Sequence, residues 1–242
     1  MKNDISSQIY KKRLKRFKQF SKHLAELISA KPAYASDLQK AVFGTLNDLA
    51  DYRDEESVDH IVRTQKYLQL LIEQMNKDGI YMDETHTWDL DNLLSSVYLH
   101  DIGKVAITDA ILNKHGPLTP EEFEIMKNHV SVGVKVIRKI RAKIKENEFL
   151  RHSYLITGSH HEKWDGSGYP AGLKGLEIPL EGRLMAIADV YDALVSRRSY
   201  KEPLSADEAR KAIENGRGTH FDPALVDVFA KVADKFAEIA RS

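Results

Sequence analysis

Apolar positions recur at intervals of three and four residues along most of the chain, and no stretch alternates apolar and polar residues long enough to predict a strand. The pattern predicts helix after helix. Tyr10, Leu14, Phe17, Ser21, Leu24 and Ile28 fall at heptad a/d spacing within a basic amphipathic helix over 6–30. Lys31-Pro32 ends that helix. Its seam fits a dimerising coiled coil or a helix packed on its own domain. Ser36 caps a second helix carrying Leu38, Val42, Leu46 and Leu49; a third is expected over 56–76 and a fourth over 89–101. Thr119-Pro120-Glu121-Glu122 is a capping box with Pro at the first helical position, and it opens a fifth helix that continues past His129. A sixth covers 148–161, a Gly-rich loop covers 164–179, and a seventh helix covers 181–196. A second capping box, Ser205 to Glu208, opens an eighth, and Asp222-Pro223 opens the last. The predicted architecture is an all-α bundle over residues 33–242, preceded by an N-terminal segment over 1–32.

Composition narrows the chemistry. Lys and Arg together number 36, as do Asp and Glu, and the zero net charge gives no support for binding a nucleic-acid polymer, which needs a basic surface. The absence of Cys removes disulfides, Cys-ligated zinc, iron–sulfur clusters and thiol catalysis. No apolar run approaches the roughly 18 residues of a membrane span, and the basic N-terminus has no apolar stretch behind it, so the chain reads as cytoplasmic. The unusual feature is ten His in 242 residues.

Five of those His stand in compact patterns with carboxylates. In Tyr98-Leu99-His100-Asp101-Ile102-Gly103-Lys104 an apolar helix delivers two adjacent ligand-type side chains at its end. Adjacent helical residues point about 100° apart, so they serve one centre only when it lies off the helix end; Asp101 can then bridge two cations through its two oxygens. Alone, this dipeptide reads as a capping Asp beside a core His. His160-His161 repeats the geometry, and here a metal is the better reading, because two adjacent core imidazoles would each need partners for both nitrogens. Asp189 interrupts an apolar, small-residue helix, where a carboxylate is costly without a cation or full hydrogen bonding. Asp192, one turn on, is expected to orient a ligating His. His129 by itself reads as a core or surface His. Glu56 and His60 share a helix face at i, i+4, a spacing that suits a metal and equally suits a surface pair.

Together, the order His60, His100-Asp101, His129, His160-His161, Asp189 resembles the HD superfamily of metal-dependent phosphohydrolases. His160-His161-Glu162 through Gly168-Tyr169-Pro170, with His100-Asp101-Ile102-Gly103-Lys104 upstream, resembles the HD-GYP subfamily, as do Ala186–Leu194 and Gly218–Pro223. The resemblance implies a helical hydrolase of cyclic di-GMP giving pGpG or GMP, with a hydroxide bridging two metals as nucleophile. It places His60, His100, Asp101 and Asp189 on one metal and Asp101, His129, His160 and His161 on the second. Glu56 occupies the position of a ligand to a third ion in some members. Two or three divalent ions, iron or manganese, are the implied cofactors; all-N/O ligation suits both and leaves zinc open. Lys104 is expected near the nucleophile and the scissile phosphate. Tyr169, Arg198 and Lys201 are the implied substrate contacts. Where the family usually has Arg-Pro-Tyr-Lys, this chain has Arg198-Ser199-Tyr200-Lys201, which loosens the loop and keeps both cations.

Two alternatives stand beside the cyclic di-GMP phosphodiesterase: a module that binds a cyclic dinucleotide or a partner protein without turnover, and a hydrolase of 3′,3′-cyclic GMP-AMP. A homodimer through the N-terminal helix and an upstream sensor or receiver domain are the expected partners. His23, His86, His115 and His152 read as surface or satisfied core residues, and His220 is assigned no chemistry.

Overall fold

In the computed structural model the described residues are 58–144, 147–196 and 202–241, and they are helical with no strand among them. The expected helices over 6–30 and from Ser36, together with Glu56, Arg198 and Lys201, lie outside the described residues. The α-helices are α1 (Val58–Lys77), α2 (Met82–Thr85), α3 (Leu90–Ser96), α4 (Asp109–Leu112), α5 (Pro120–Arg141), α6 (Glu148–Ser159), α7 (Leu180–Val195), α8 (Ala206–Asn215) and α9 (Pro223–Ala240). Both predicted capping boxes form. Thr119 Oγ1 accepts from the Glu122 amide at 3.3 Å while Glu122 Oε2 accepts from the Thr119 amide at 2.8 Å. Ser205 and Glu208 do the same at 3.3 and 2.9 Å. These reciprocal bonds satisfy amides that the helix itself leaves open.

The main core gathers the inner faces of α1, α7, α8 and α9. From α1 come Ile61, Leu68, Leu71, Ile72 and Met75, the three- and four-residue spacing of a single stripe. α7 is buried nearly all round, from Leu180 to Ala188 and again at Tyr191 and Asp192. It is the central helix, and that is why a carboxylate on it cannot be ordinary surface polarity. A smaller cluster of Leu99, Ile102, Ile137, Phe149 and Leu150 holds the segment after α3 against α5 and α6.

The predicted fourth helix departs from expectation. The chain is α-helical only over Leu90–Ser96, then tightens into 3-10 turns at Val97–Leu99 and Ile102–Ala106. Ser96 Oγ donates to the Leu93 carbonyl at 2.5 Å and His100 Nδ1 to the Val97 carbonyl at 2.8 Å, and such local side-chain bonds compete with a continuing α-ladder. The short helices α2 and α4 were not foreseen; four residues carry too little periodicity to register.

Glycines let these backbones meet. A Cβ on Gly103 would stand 1.8 Å from the His129 carbonyl oxygen and 2.7 Å from the Gly133 amide nitrogen, so the 3-10 turn carrying Asp101 lies directly on α5. Gly103→Ala is therefore expected to destabilise the protein by at least about 1–3 kcal/mol, the usual cost of overpacking. Urea denaturation of the variant beside the wild type measures it.

Candidate metal centre

Five segments converge on one site: α1 with His60, the turns after α3 with His100 and Asp101, α5 with His129, the end of α6 with His160 and His161, and α7 with Asp189. Ligand atoms of Asp101, His129, His160 and His161 all lie within 4.8 Å of one another, and so do those of His60, His100 and Asp189. Asp101 faces both groups. Its Oδ2 lies 3.3 Å from His100 Nε2, while its Oδ1 lies 3.2 Å from His129 Nε2 and 3.5 Å from His160 Nε2. His60 Nε2 lies 3.6 Å from Asp189 Oδ1. Seven of the eight candidate ligands thus meet as the sequence anticipated, and the eighth, Glu56, is the one outside the described residues.

The far side of each ring decides its tautomer. Nδ1 of His100, His129 and His160 donates to the carbonyls of Val97, Met126 and Ile156 at 2.8, 2.7 and 3.0 Å. A carbonyl only accepts, so the proton of each neutral ring sits on Nδ1 and the Nε2 lone pair points inward. Those three Nε2 atoms and Asp101 Oδ1 are buried with no hydrogen-bond partner. Lone pairs therefore face lone pairs across little more than 3 Å, an arrangement that needs positive charge between them. Each such group left unsatisfied costs roughly 1–3 kcal/mol. The residues present fit divalent metal ions: imidazole nitrogens and carboxylate oxygens, fixed by outer hydrogen bonds and aimed at shared space.

Electrostatics point the same way. Burial opposes a charge on His100, yet Asp101 beside it and Asp189 nearby push its pKa up to about 9. Burial also opposes charge on Asp101, but Lys104 and His100 hold its carboxyl well below the usual carboxylate range. Burial, with His160 alongside, drives His161 well below its ordinary value, so its ring stays neutral. One proton on His100 would answer Asp101 Oδ2 alone and leave the His129 and His160 lone pairs on Oδ1 unanswered.

Outer contacts lock the geometry. Asp192, buried on α7, accepts from His60 Nδ1 at 2.8 Å, the orienting role its position one turn after Asp189 implied. Arg63 clamps the same carboxylate through Nε at 2.6 Å and Nη2 at 2.8 Å. The sequence reading missed Arg63, although it lies three residues after His60 on the same helix face. Lys104 Nζ sits 2.8 Å from Asp101 Oδ2. Glu162, also missed, is buried and accepts from the Ala171 and Leu173 amides at 2.7 and 3.1 Å, which folds the loop carrying Tyr169 back over the site. Tyr169 lies with its ring centroid 4.8 Å from that of His161, the planes tilted by 31°, and burial together with the charges of Asp101 and Asp189 keeps its phenol protonated. His152 is a satisfied core residue, its Nδ1 2.9 Å from Glu181 Oε1.

Comparison with known proteins agrees with the arrangement. A family model described as HD domain matches residues 45–225. A Vibrio cholerae protein named cyclic di-GMP phosphodiesterase is 46% identical over 196 residues, covering 81% of this chain and 40% of that protein. A second from the same organism, named 3′3′-cGAMP-specific phosphodiesterase 2, is 36% identical over 206 residues, covering 85% of this chain and 37% of that one. The chain thus spans half or less of the length of these relatives. Among solved structures, an HDG"Y"P protein of Bdellovibrio bacteriovorus superposes with a TM-score of 0.54 at 18% identity, over 92% of this chain and 69% of that one, a likeness of fold.

The Asp192 contact yields a test. Asp192→Asn keeps the shape but loses the charge that aligns His60 and pairs with Arg63. Metal affinity is expected to fall about 10- to 100-fold, the usual effect of losing an outer partner of a ligating His. Competition with a chelating dye of known affinity reads it.

Proposed function

We propose that this chain, which belongs to the HD domain family, is a metal-dependent phosphodiesterase that hydrolyses cyclic di-GMP, with residues 33–242 as its hydrolase domain. One observation carries the reading: ligand atoms of Asp101, His129, His160 and His161 gather within 4.8 Å of one another, those of His60, His100 and Asp189 do the same, and Asp101 Oδ2 reaches the second group at 3.3 Å from His100 Nε2. His60, His100, Asp101 and Asp189 would hold one divalent ion, and Asp101, His129, His160 and His161 the other. Bound there, such a pair supplies an activated water and neutralises phosphoryl oxygens. Iron and manganese are the ions we favour on the family resemblance, and the nitrogen and oxygen donor set suits both.

The chain's own residues supply the rest. Asp101 holds both clusters at a fixed separation. Asp192 and Arg63 keep His60 turned inward. Lys104, 2.8 Å from Asp101, offers an ammonium to a phosphoryl or leaving oxygen at the edge of the cluster. Tyr169 gives a ring and a hydroxyl beside His161, and Arg198 and Lys201 are the further substrate contacts in this reading. Cyclic di-GMP is preferred over cyclic GMP-AMP because identity is higher to the relative bearing the former name, 46% against 36%. No described helix is long and apolar enough to cross a membrane. A homodimer through residues 1–32 and an upstream sensor or receiver domain complete the proposal.

Anaerobically purified protein, reloaded with Fe(II) or Mn(II), is expected to release pGpG or GMP from cyclic di-GMP, followed by liquid chromatography, and chelation should stop it. Tight binding without product under every metal regime would instead identify a non-catalytic module. A parallel assay with 3′,3′-cyclic GMP-AMP compares the two dinucleotides.

Two substitutions separate the roles. His100→Ala or Asp101→Ala should abolish turnover together with metal binding. Lys104→Ala should lower kcat about 10²- to 10³-fold, the loss typical of a charge-stabilising donor, with metal content retained.

A further inference from the structure

At the rim of the metal centre, on the first turns of α5, Phe123 keeps 45% of its surface exposed. It stands edge-on to Tyr169 with ring centroids 5.9 Å apart. Lys127, one turn later on the same face, places Nζ 5.5 Å from the Phe123 centroid and 5.7 Å from that of Tyr169. Its ammonium is held by Glu124 at 2.6 Å. Tyr169 in turn lies 4.8 Å from the ring of His161. An unbroken aromatic path therefore runs from a candidate metal ligand outward to an exposed ring with a cation beside it. Singly exposed apolar side chains are common; Phe123 is set apart by its edge contact with Tyr169 and by the cation beside both rings. A nucleotide, whose base lies several ångströms from its phosphate, would span this path.

The geometry points to a base-binding shelf made by Phe123 and Lys127: Phe123 stacks on one purine of the substrate, and Lys127 donates to its O6 and N7 edge, selecting guanine. This rests on the reading of the chain as a cyclic-dinucleotide hydrolase. The chemistry is general. Base–aromatic stacking tolerates any base, whereas a cationic donor prefers guanine, which offers two acceptors where adenine offers one acceptor and one donor.

The test is steady-state kinetics of the metal-reloaded full chain with cyclic di-GMP. Phe123→Ala is expected to raise KM roughly 5- to 150-fold, the range of one lost base stack, with kcat little changed. Phe123→Trp should restore KM; Phe123→Leu, apolar but not aromatic, should not. Lys127→Gln should narrow the preference for cyclic di-GMP over cyclic di-AMP at least several-fold. Ile125→Ala, equally exposed on the same helix at 45%, should leave KM unchanged. A KM within two-fold of wild type in Phe123→Ala overturns the shelf, as does full rescue by Leu. Wild-type protein that cleaves methyl p-nitrophenyl phosphate, a diester without a base, but no cyclic dinucleotide overturns the functional reading and the shelf with it. Wild-type turnover of cyclic di-GMP matched by Phe123→Ala overturns the shelf alone.

Discussion

Buried lone pairs facing one another are the constraint on which this structure depends. The Nε2 atoms of His100, His129 and His160 converge on Asp101 with their protons committed to carbonyls on the other side. A fold built only for stability would fill that space with apolar side chains, since a half-satisfied polar cluster is worse than none. The cluster is intelligible when cations belong between the donors. The arrangement also explains why the outer shell is so strictly polar: a ring that pivots by a few tens of degrees would turn its lone pair away. Carbonyls of the same or the preceding turn are the stiffest partners the backbone can offer, and three of the five imidazoles use them.

That requirement propagates into packing. Asp101 must reach both clusters, so the turns after α3 have to lie against α5 with no side chain between them. Gly103 and Gly133 make that approach possible. Gly182 does the same between α6 and α7, where a Cβ would stand 2.1 Å from Ser159 Oγ. These contacts bring the ends of α6 and the body of α7 close enough for His160 and Asp189 to face one centre. Thr157 adds a tie, its Oγ1 donating to the Leu99 carbonyl at 3.0 Å just before His100. Hydrophobic burial supplies the bulk of the stability, and the glycines decide where the polar groups end up.

Much of this was legible in the chain. Capping boxes are local, and both announced their helices to the residue. The convergence of these His and Asp was legible from the order in which they recur, since singly only His160-His161 favours a metal and the others have bland readings, and Asp192 was legible because a helix turn relates it to Asp189. What escaped depends on distance. Arg63 meets Asp192 only after 129 residues of chain have folded back. The Arg183–Asp222–Tyr81 network, at 2.8 Å for each bond, likewise joins three separate elements. The break in the fourth predicted helix escaped for a different reason. Its apolar periodicity continues through Leu99, and only the competing bonds of Ser96 and His100 tighten the backbone there.

The balance of charge bears on the proposed substrate. Asp101 and Asp189 bring two negative charges and Lys104 one positive, while the His161 ring is held neutral by burial. Asp192 is already matched by Arg63 and adds little to the centre. With every imidazole neutral, as cation binding requires, these groups sum to about minus one. Two divalent ions would reverse the sign and leave a strongly positive hollow in a chain whose overall charge is zero. Attraction is therefore confined to one place. Such a hollow would suit a phosphate diester, and the field would weaken for a polyanion that must also lie along neutral surface. In the proposed reading, selectivity for a small cyclic anion over a nucleic-acid strand would follow from that concentration of charge, before any base is read.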